Sequence, residues 1–220
     1  MIKTELIFLG PPACGKGTQT TKLAEHLHFS HVDTGSLLRS EIKNATEAGI
    51  EAKKFIDKGQ LVPVELVSRI IKNRLGQDDC KNGYILDGFP RSLEQAEQLT
   101  QINNELDQGI ESKFRAIYFD IDTSILIERI VNRRSCSKCG EIYNLEFKAP
   151  EKEGVCDKCG GALTQRKDDT REVAQSRFDT YNRETAPLVD YYKSKNVLKS
   201  IDANGTIDEV WSRLLDVIGQ

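Results

Sequence analysis

Gly10-Pro11-Pro12-Ala13-Cys14-Gly15-Lys16-Gly17-Thr18 decides how this chain is read. A short apolar run, Leu6-Ile7-Phe8-Leu9, precedes it, and Leu23, Ala24 and Leu27 repeat at helical spacing after it. Strand, glycine-rich loop, helix is the setting of a phosphate-binding loop. The backbone N–H groups of such a loop turn inward on an anion, and the helix N-terminus adds partial positive charge. Lys16 would reach the outer phosphates as a mobile cation, and the Thr18 hydroxyl would help to place Mg²⁺. The bland alternative is an ordinary strand-to-helix turn. An ordinary turn does not need the full G-x4-G-K-G-T run, whose extra glycine between Lys16 and Thr18 makes it a variant of the common G-K-[ST] ending.

The 220 residues are enough to bury a sizeable core, as one domain with inserted lobes or as two domains. Net charge is −3, which gives no support to a duplex binder held by a basic surface. With 30% charged and 38% hydrophobic residues the composition is that of a globular, soluble chain. No apolar stretch approaches the roughly 20 residues that span a bilayer, and the first residues lack a leader pattern. The expectation is therefore the cytoplasm or another reducing compartment, with no membrane and no nucleic acid as partner. Four of the six cysteines form Cys136-x2-Cys139 and Cys156-x2-Cys159, a spacing that reads as a zinc site. Disulfides are the alternative, disfavoured in a reducing compartment.

Buried strands are expected near residues 5–9, 29–32, 83–88, 116–120 and 197–201, with helical patterns between them. Strands alternating with helices define an α/β fold, a five-stranded parallel sheet flanked by helices on both faces. Ligands bind outside the carboxyl ends of such strands. That edge would carry the Gly10 loop, Asp33 to Gly35, Asp87 to Arg91, and Asp120. Two stretches depart from the alternation. The core is expected over 1–32, 63–131 and 170–220, one inserted lobe over 33–62, and a second, cysteine-bearing lobe over 132–169.

With these residues in view the chain resembles the adenylate kinases, in their long-lid form with a zinc-binding lid. The likeness covers nearly the whole chain. It rests on the Gly10–Thr18 loop, Thr34-Gly35 with Arg39, Asp87-Gly88-Phe89-Pro90-Arg91 with Gln95, Arg129 with Arg133, the cysteine pairs, and Arg166-Lys167-Asp168-Asp169 with Arg177. The resemblance implies a P-loop nucleoside monophosphate kinase fold and reversible phosphoryl transfer from MgATP to AMP, giving two ADP and serving adenine nucleotide homeostasis. It implies that Gly10, Ala13, Cys14, Gly15, Lys16, Gly17 and Thr18 hold the ATP phosphates. Arg129 and Arg133 would close over ATP, Ile142 and Tyr143 would flank its base or ribose, and Gly205 would meet the base through its backbone. For AMP, Arg39 and Arg91 would hold the phosphate. Thr34 and Gln95 would read the adenine; Gln60, Leu61, Val62, Gly88, Phe89 and Pro90 would complete the site. Arg166 and Arg177 would bridge toward the transferred group, and Asp87 would place Mg²⁺ through water. Zn²⁺ on Cys136, Cys139, Cys156 and Cys159 would be structural, since four thiolates leave no open position. The likeness also implies a monomer.

Two positions depart from the family pattern. Ala13 stands where glycine is usual, which would make the loop less free. Ser36 replaces the usual Asp after Thr34-Gly35; it could cap the next helix, but a charge near the AMP lobe is lost. Cys14, beside Lys16 at a helix N-terminus, would be a reactive thiol protected by ATP. Two rival readings stand beside this one. The first is a kinase for another nucleoside monophosphate, or one with GTP as donor. The second is a P-loop switch carrying a zinc-ribbon interaction module. Acidic residues interleave with the lid's basic ones, which speaks against a clean nucleic-acid face.

Overall fold

The computed structural model describes residues 2–219. Its centre is β1, Lys3–Leu9, paired on both sides and therefore shielded from water along both edges. β2 is Ser30–Asp33, β3 Gly83–Asp87, β4 Ser112–Asp120 and β8 Leu198–Asp202. The order β2-β3-β1-β4-β8 is parallel throughout. Successive side chains of a strand point to opposite faces, so β1 serves two cores. Ile7 and Leu9 join Val32, Leu86 and Ala116 under α4 (Val64–Leu75), α5 (Leu93–Leu106) and α8 (Pro187–Ser194). Leu6 and Phe8 join Ile85, Ile117 and Phe119 under α1 (Lys16–Leu27), α6 (Leu126–Val131), α7 (Arg171–Thr180) and α9 (Ile207–Ile218). No described helix is long and apolar enough to cross a membrane.

Strand β4 begins at Ser112, ahead of the apolar run at Ala116, because pairing with β1 from Lys3↔Ser112 onward recruits its polar start. The excursion after β2 is two helices, α2 (Thr34–Lys43) and α3 (Glu47–Ile56). They cross so closely that a Cβ on Gly49 would lie 2.2 Å from the Glu41 carbonyl oxygen. The helical stretch after Arg171 is interrupted by a π turn, Tyr181–Thr185. Pro187 has no N–H to continue the ladder, and Ala186 N instead reaches Tyr181 O at 2.8 Å. Residues 132–169 hold a second sheet that the sequence pattern did not show: β5 (Arg133–Cys136), β6 (Ile142–Asn144) and β7 (Leu163–Thr164), antiparallel in the order β6-β5-β7.

The amino end of β1 carries a sealed polar cluster. Lys3 Nζ, 3% exposed, meets Asp107 Oδ1 at 2.6 Å and Glu5 Oε1 at 3.1 Å. Asn103 Nδ2 donates to Glu5 Oε2 at 3.0 Å and also bonds the Tyr84 hydroxyl. Burial, then contact with Asp107, raises the Glu5 carboxyl to about 7.

Candidate active site

The phosphate loop joins β1 to α1 at the carboxyl edge of the sheet. Gly10 (φ 147°) and Gly15 (φ 93°) hold positive backbone angles that favour glycine, and Ala13 holds a left-handed φ of 61°. A Cβ on Gly10 would sit 3.0 Å from both the Cys14 sulfur and Phe119. The loop thus takes its shape with alanine at position 13, and the cost falls on the backbone instead. Lys16 curls over it, donating to Gly10 O at 2.6 Å, Pro11 O at 3.0 Å and Cys14 Sγ at 3.3 Å. Cys14 is 2% exposed and packed in the core, so the reactive thiol expected from its loop position is shielded from solvent.

Asp87 ends β3 beside the loop, 8% exposed, with Oδ2 accepting from the Thr20 hydroxyl at 3.3 Å. Burial and then the Asp33 carboxylate, its register partner on β2, raise the Asp87 carboxyl above the usual range. The helix cap expected from Ser36 comes from Asp33, whose Oδ1 accepts from Gly35 N at 2.9 Å. The residue before the helix is the one whose side chain can reach back-to-front onto the first N–H groups; Ser36 is already inside the first turn.

Lys16, Arg39, Arg91, Arg129, Arg133, Arg166 and Arg177 all line one cavity of about 740 Å³. They arrive from the start of α1, from α2, from the turn after β3, from α6, from residues 133 and 166 at the two ends of the cysteine-bearing stretch, and from α7. Arg133 forms a two-pronged pair with Asp169, which is fully buried. Arg177 reaches Asp168 at 3.5 Å and Asp169 at 3.7 Å. Arg166 Nε donates to Ser135 Oγ at 3.1 Å. Burial, then Arg133 and Arg39, lower the Arg166 guanidinium to about 9. Burial, then Arg133 and Arg91, lower that of Arg177 to about 10. These guanidinia are crowded by like charge, the condition of a site built for a polyanion. Arg91 is anchored three ways: its N–H to Gln95 Oε1 at 2.8 Å, its Nε to Gly88 O at 2.8 Å, and its carbonyl from the Thr185 hydroxyl at 2.7 Å.

Ile142, Tyr143, Phe147 and Gly205 also line this cavity. Phe147, 51% exposed, lies over the Arg129 guanidinium at 4.8 Å, and Arg129 Nε is buried without a partner. Tyr143 is 3% exposed and gives most of its ring to the lobe's own core, its hydroxyl 3.5 Å from Cys156 Sγ. Gly205 (φ 118°) holds a backbone angle that favours glycine, and a Cβ there would displace the Glu209 carboxylate, 2.6 Å away. A smaller recess of about 80 Å³ opens beside Arg91, lined by Thr34, Gln60, Leu61, Val62 and Gln95. Thr34 Oγ1 is buried there without a hydrogen-bond partner. Gly88 and Pro90 face the cavities, but Phe89 is 1% exposed in the core and faces neither. Asp120 ends β4 at the same edge without lining either. Sequence reading did not single out Phe147 or the roles of Asp33 and Asp169. An aromatic in a polar lobe, and a paired Asp following Arg166-Lys167, were the signals for two of them.

In the lobe the sulfurs of Cys136, Cys139, Cys156 and Cys159 all lie within 4.8 Å of one another. Cys136 and Cys159 are 3.5 Å apart, and Cys139 and Cys156 3.6 Å. These are too long for S–S bonds and close to the edge of about 3.8 Å that four thiolates around zinc would make. Backbone N–H groups of Cys139 and Lys138 point at Cys136 Sγ, and with Cys139 foremost they help to lower its thiol to about 6. The donor set fits a tetrahedral soft cation with no open position.

A parallel sheet with a phosphate loop on its central strand and a cation-lined cleft under a cysteine-bearing lobe defines a P-loop protein of the nucleoside monophosphate kinase type. Residues 8–197 match the family model described as adenylate kinase. The chain is 46% identical over 215 residues to an adenylate kinase of Clostridium tetani, covering 97% of this chain and 98% of that protein. It is 42% identical to one from Thermodesulfovibrio yellowstonii (97% and 98% covered) and 41% to one from Fervidobacterium nodosum (97% and 97%). The chain belongs to the adenylate kinase family, a family of phosphotransferase enzymes.

Proposed function

We propose that this enzyme transfers the terminal phosphoryl group of ATP, as its magnesium complex, reversibly to AMP, giving two ADP. The observation that carries the reading is the convergence of seven cationic side chains on one cleft with a small recess at its side. Two nucleotides meeting phosphate to phosphate need that much positive charge, and one does not. Phosphoryl transfer asks a protein for positioning and charge stabilisation, with little covalent chemistry.

The donor phosphates lie on the loop, held by its N–H groups and Lys16, which leaves its loop carbonyls for them. Arg133 at the base of the lid, with Arg129 of α6 beside it, closes over them. The donor base rests among Ile142, Tyr143, Phe147 and the backbone at Gly205. The acceptor lies in the recess, with Arg39 and Arg91 on its phosphate. The unpartnered Thr34 hydroxyl and Gln95 face its base, over Gln60, Leu61 and Val62. Arg166 and Arg177 stand between the two and meet the equatorial charge of the group in flight. Magnesium, bound with ATP, neutralises phosphate charge, and Asp87 with the Thr18 hydroxyl would hold its water shell. Residues 33–62 act as the acceptor lobe and 132–169 as a lid that excludes water, which would otherwise hydrolyse the donor. Cys136, Cys139, Cys156 and Cys159 would hold zinc, a structural cross-link for a lobe with little core of its own. Its removal by a chelator at pH 7 lowers the temperature at which the lid opens, read by hydrogen exchange over 132–169, and leaves exchange in β1 unchanged. All seven cations come from one chain, which suits a monomer balancing adenine nucleotides.

The test is a coupled assay for ADP from ATP with AMP, GMP, CMP or UMP, beside ATP alone. Rapid ADP formation with AMP only supports the reading. Preference for another monophosphate reassigns the recess, and ADP from ATP alone overturns the two-nucleotide site.

A further inference from the structure

We infer that Asp33 and Ser36 act together as a carboxylate–hydroxyl pair, in which Asp33 is the positioning residue that holds Arg39 toward the acceptor phosphate. The inference rests on the reading of Arg39 as a ligand of that phosphate. Asp33 is the residue before α2, and Ser36 is the third residue within it. At a helix start these two positions face each other, the geometry in which one side chain caps while the other reaches back. A carboxylate and a hydroxyl placed there occupy nearly the same space whichever position carries which.

The contacts divide between the two carboxylate oxygens. Oδ1 accepts from Gly35 N at 2.9 Å, which is all that a cap requires. Oδ2 accepts from the Ser36 hydroxyl and from Arg39 NH2, the latter at 3.4 Å. Arg39 NH2 also donates to Ser36 Oγ at 3.0 Å. Among the described residues, Asp33 is the only carboxylate in ion-pairing distance of Arg39. The guanidinium lies flat against residue 35, where a Cβ would come 3.0 Å from NH1, so glycine makes room for it. Burial acts to raise the Asp33 carboxyl, but the Arg39 guanidinium, the Ser36 hydroxyl and the Gly35 N–H together hold it below the usual range. Asp33, Gly35 and Arg39 all line the main cavity.

The experiment compares wild type with Asp33→Ser, Ser36→Asp and the double variant Asp33→Ser/Ser36→Asp. Serine is a good helix cap, so Asp33→Ser folds while losing the charge. Loss of one charge-assisted hold on Arg39 raises KM for AMP about tenfold, with KM for ATP changed less than about twofold. The double variant returns KM for AMP to within about threefold of wild type, because the acid sits again beside Arg39. Ser36→Asp alone sets two acids on one guanidinium and raises KM for AMP. Nitrogen NMR of the Arg39 guanidinium without substrate reads the same hold: slow side-chain exchange in wild type and the double variant, fast in Asp33→Ser. An unchanged KM for AMP in Asp33→Ser, or a double variant no better than that single one, overturns the inference. So does a fall in melting temperature alone, which is a cap and nothing more. Wild type that makes no ADP from AMP defeats the functional reading instead, and the NMR comparison then decides the pairing by itself.

Discussion

β1 runs between two lysine-centred clusters, and they are built in opposite ways. At its amino end Lys3 is shut in with Glu5 and Asp107, and the charges are answered inside the protein. At its carboxyl end, roughly 20 Å away, Lys16 joins six arginines around an open cleft in excess of the acids there. At the sealed end burial, then contact with Asp107, raises the Glu5 carboxyl to about 7, which eases the excess of acid around Lys3. The open end leaves its imbalance for a ligand, and the guanidinia of Arg166 and Arg177 are strained toward losing charge instead. Buried charge therefore means stability in one place and readiness to bind in the other.

Changing each end separately should separate the two. Lys3→Met strands two acids and costs roughly 3–5 kcal/mol at pH 8 in urea unfolding, while kcat of the folded enzyme is unchanged. A Lys3→Met protein as stable as wild type would show that the sealed end carries no such debt. Arg166→Met does the reverse. It lowers kcat by about 100-fold to 1,000-fold, as removal of a transition-state donor does. Its melting temperature does not fall, because among the described residues the Arg166 side chain bonds only Ser135, and burial with the repulsion of Arg133 and Arg39 outweighs the attraction of Asp168 and Asp169.

The sealed end also sets a pH dependence. Glu5 binds its proton more tightly folded, near 7, than unfolded, near 4.5. Its contribution is whole below pH 4.5, is lost as pH rises, and is gone above about 7, in total on the order of 3 kcal/mol. Lys3, Asp107 and Asn103 face Glu5 directly, with Tyr84 behind, and none of them lines the cleft. Glu5→Gln keeps the bond from Asn103 and flattens that slope, which stability measured from pH 5 to 8 checks against wild type. The smallest effect belongs to the open end. Ala13→Gly relieves a left-handed alanine and stabilises by about 0.5–1 kcal/mol after the entropy of the unfolded chain is counted. A lower melting temperature would show that the loop holds Ala13 without strain.

Much of this was legible in the linear chain. The phosphate loop, the cysteine spacing and the strand–helix alternation are local patterns, and local geometry decides them. Helix α9, Ile207–Ile218, starts where Thr206 and Glu209 close a reciprocal cap, a spacing that the sequence itself displays. What was not legible depends on partners distant in the chain. Phe89 sits in a motif yet turns into the core, and Tyr143 gives its hydroxyl to a cysteine thirteen residues on. The lobe's second sheet pairs strands of two to four residues, too short for any period to show. The helix break at Tyr181–Thr185 needed Pro187 to be read as an interruption, since a proline at a first helical position otherwise looks like a start.

By itself the sequence determined the family, the order of the elements and the kinds of group that carry the chemistry. Those follow from residue type and short spacing, which need no fold to act. Only the tertiary structure decided which charges cancel and which stay open. A carboxylate's meaning depends on what stands beside it. Asp107 quiets a lysine 104 residues away, Asp169 is shared by two arginines, and Asp33 pairs with Arg39 across the first turns of α2. Electrostatic energy falls with distance in space and ignores distance along the chain, and no reading along the chain can supply it.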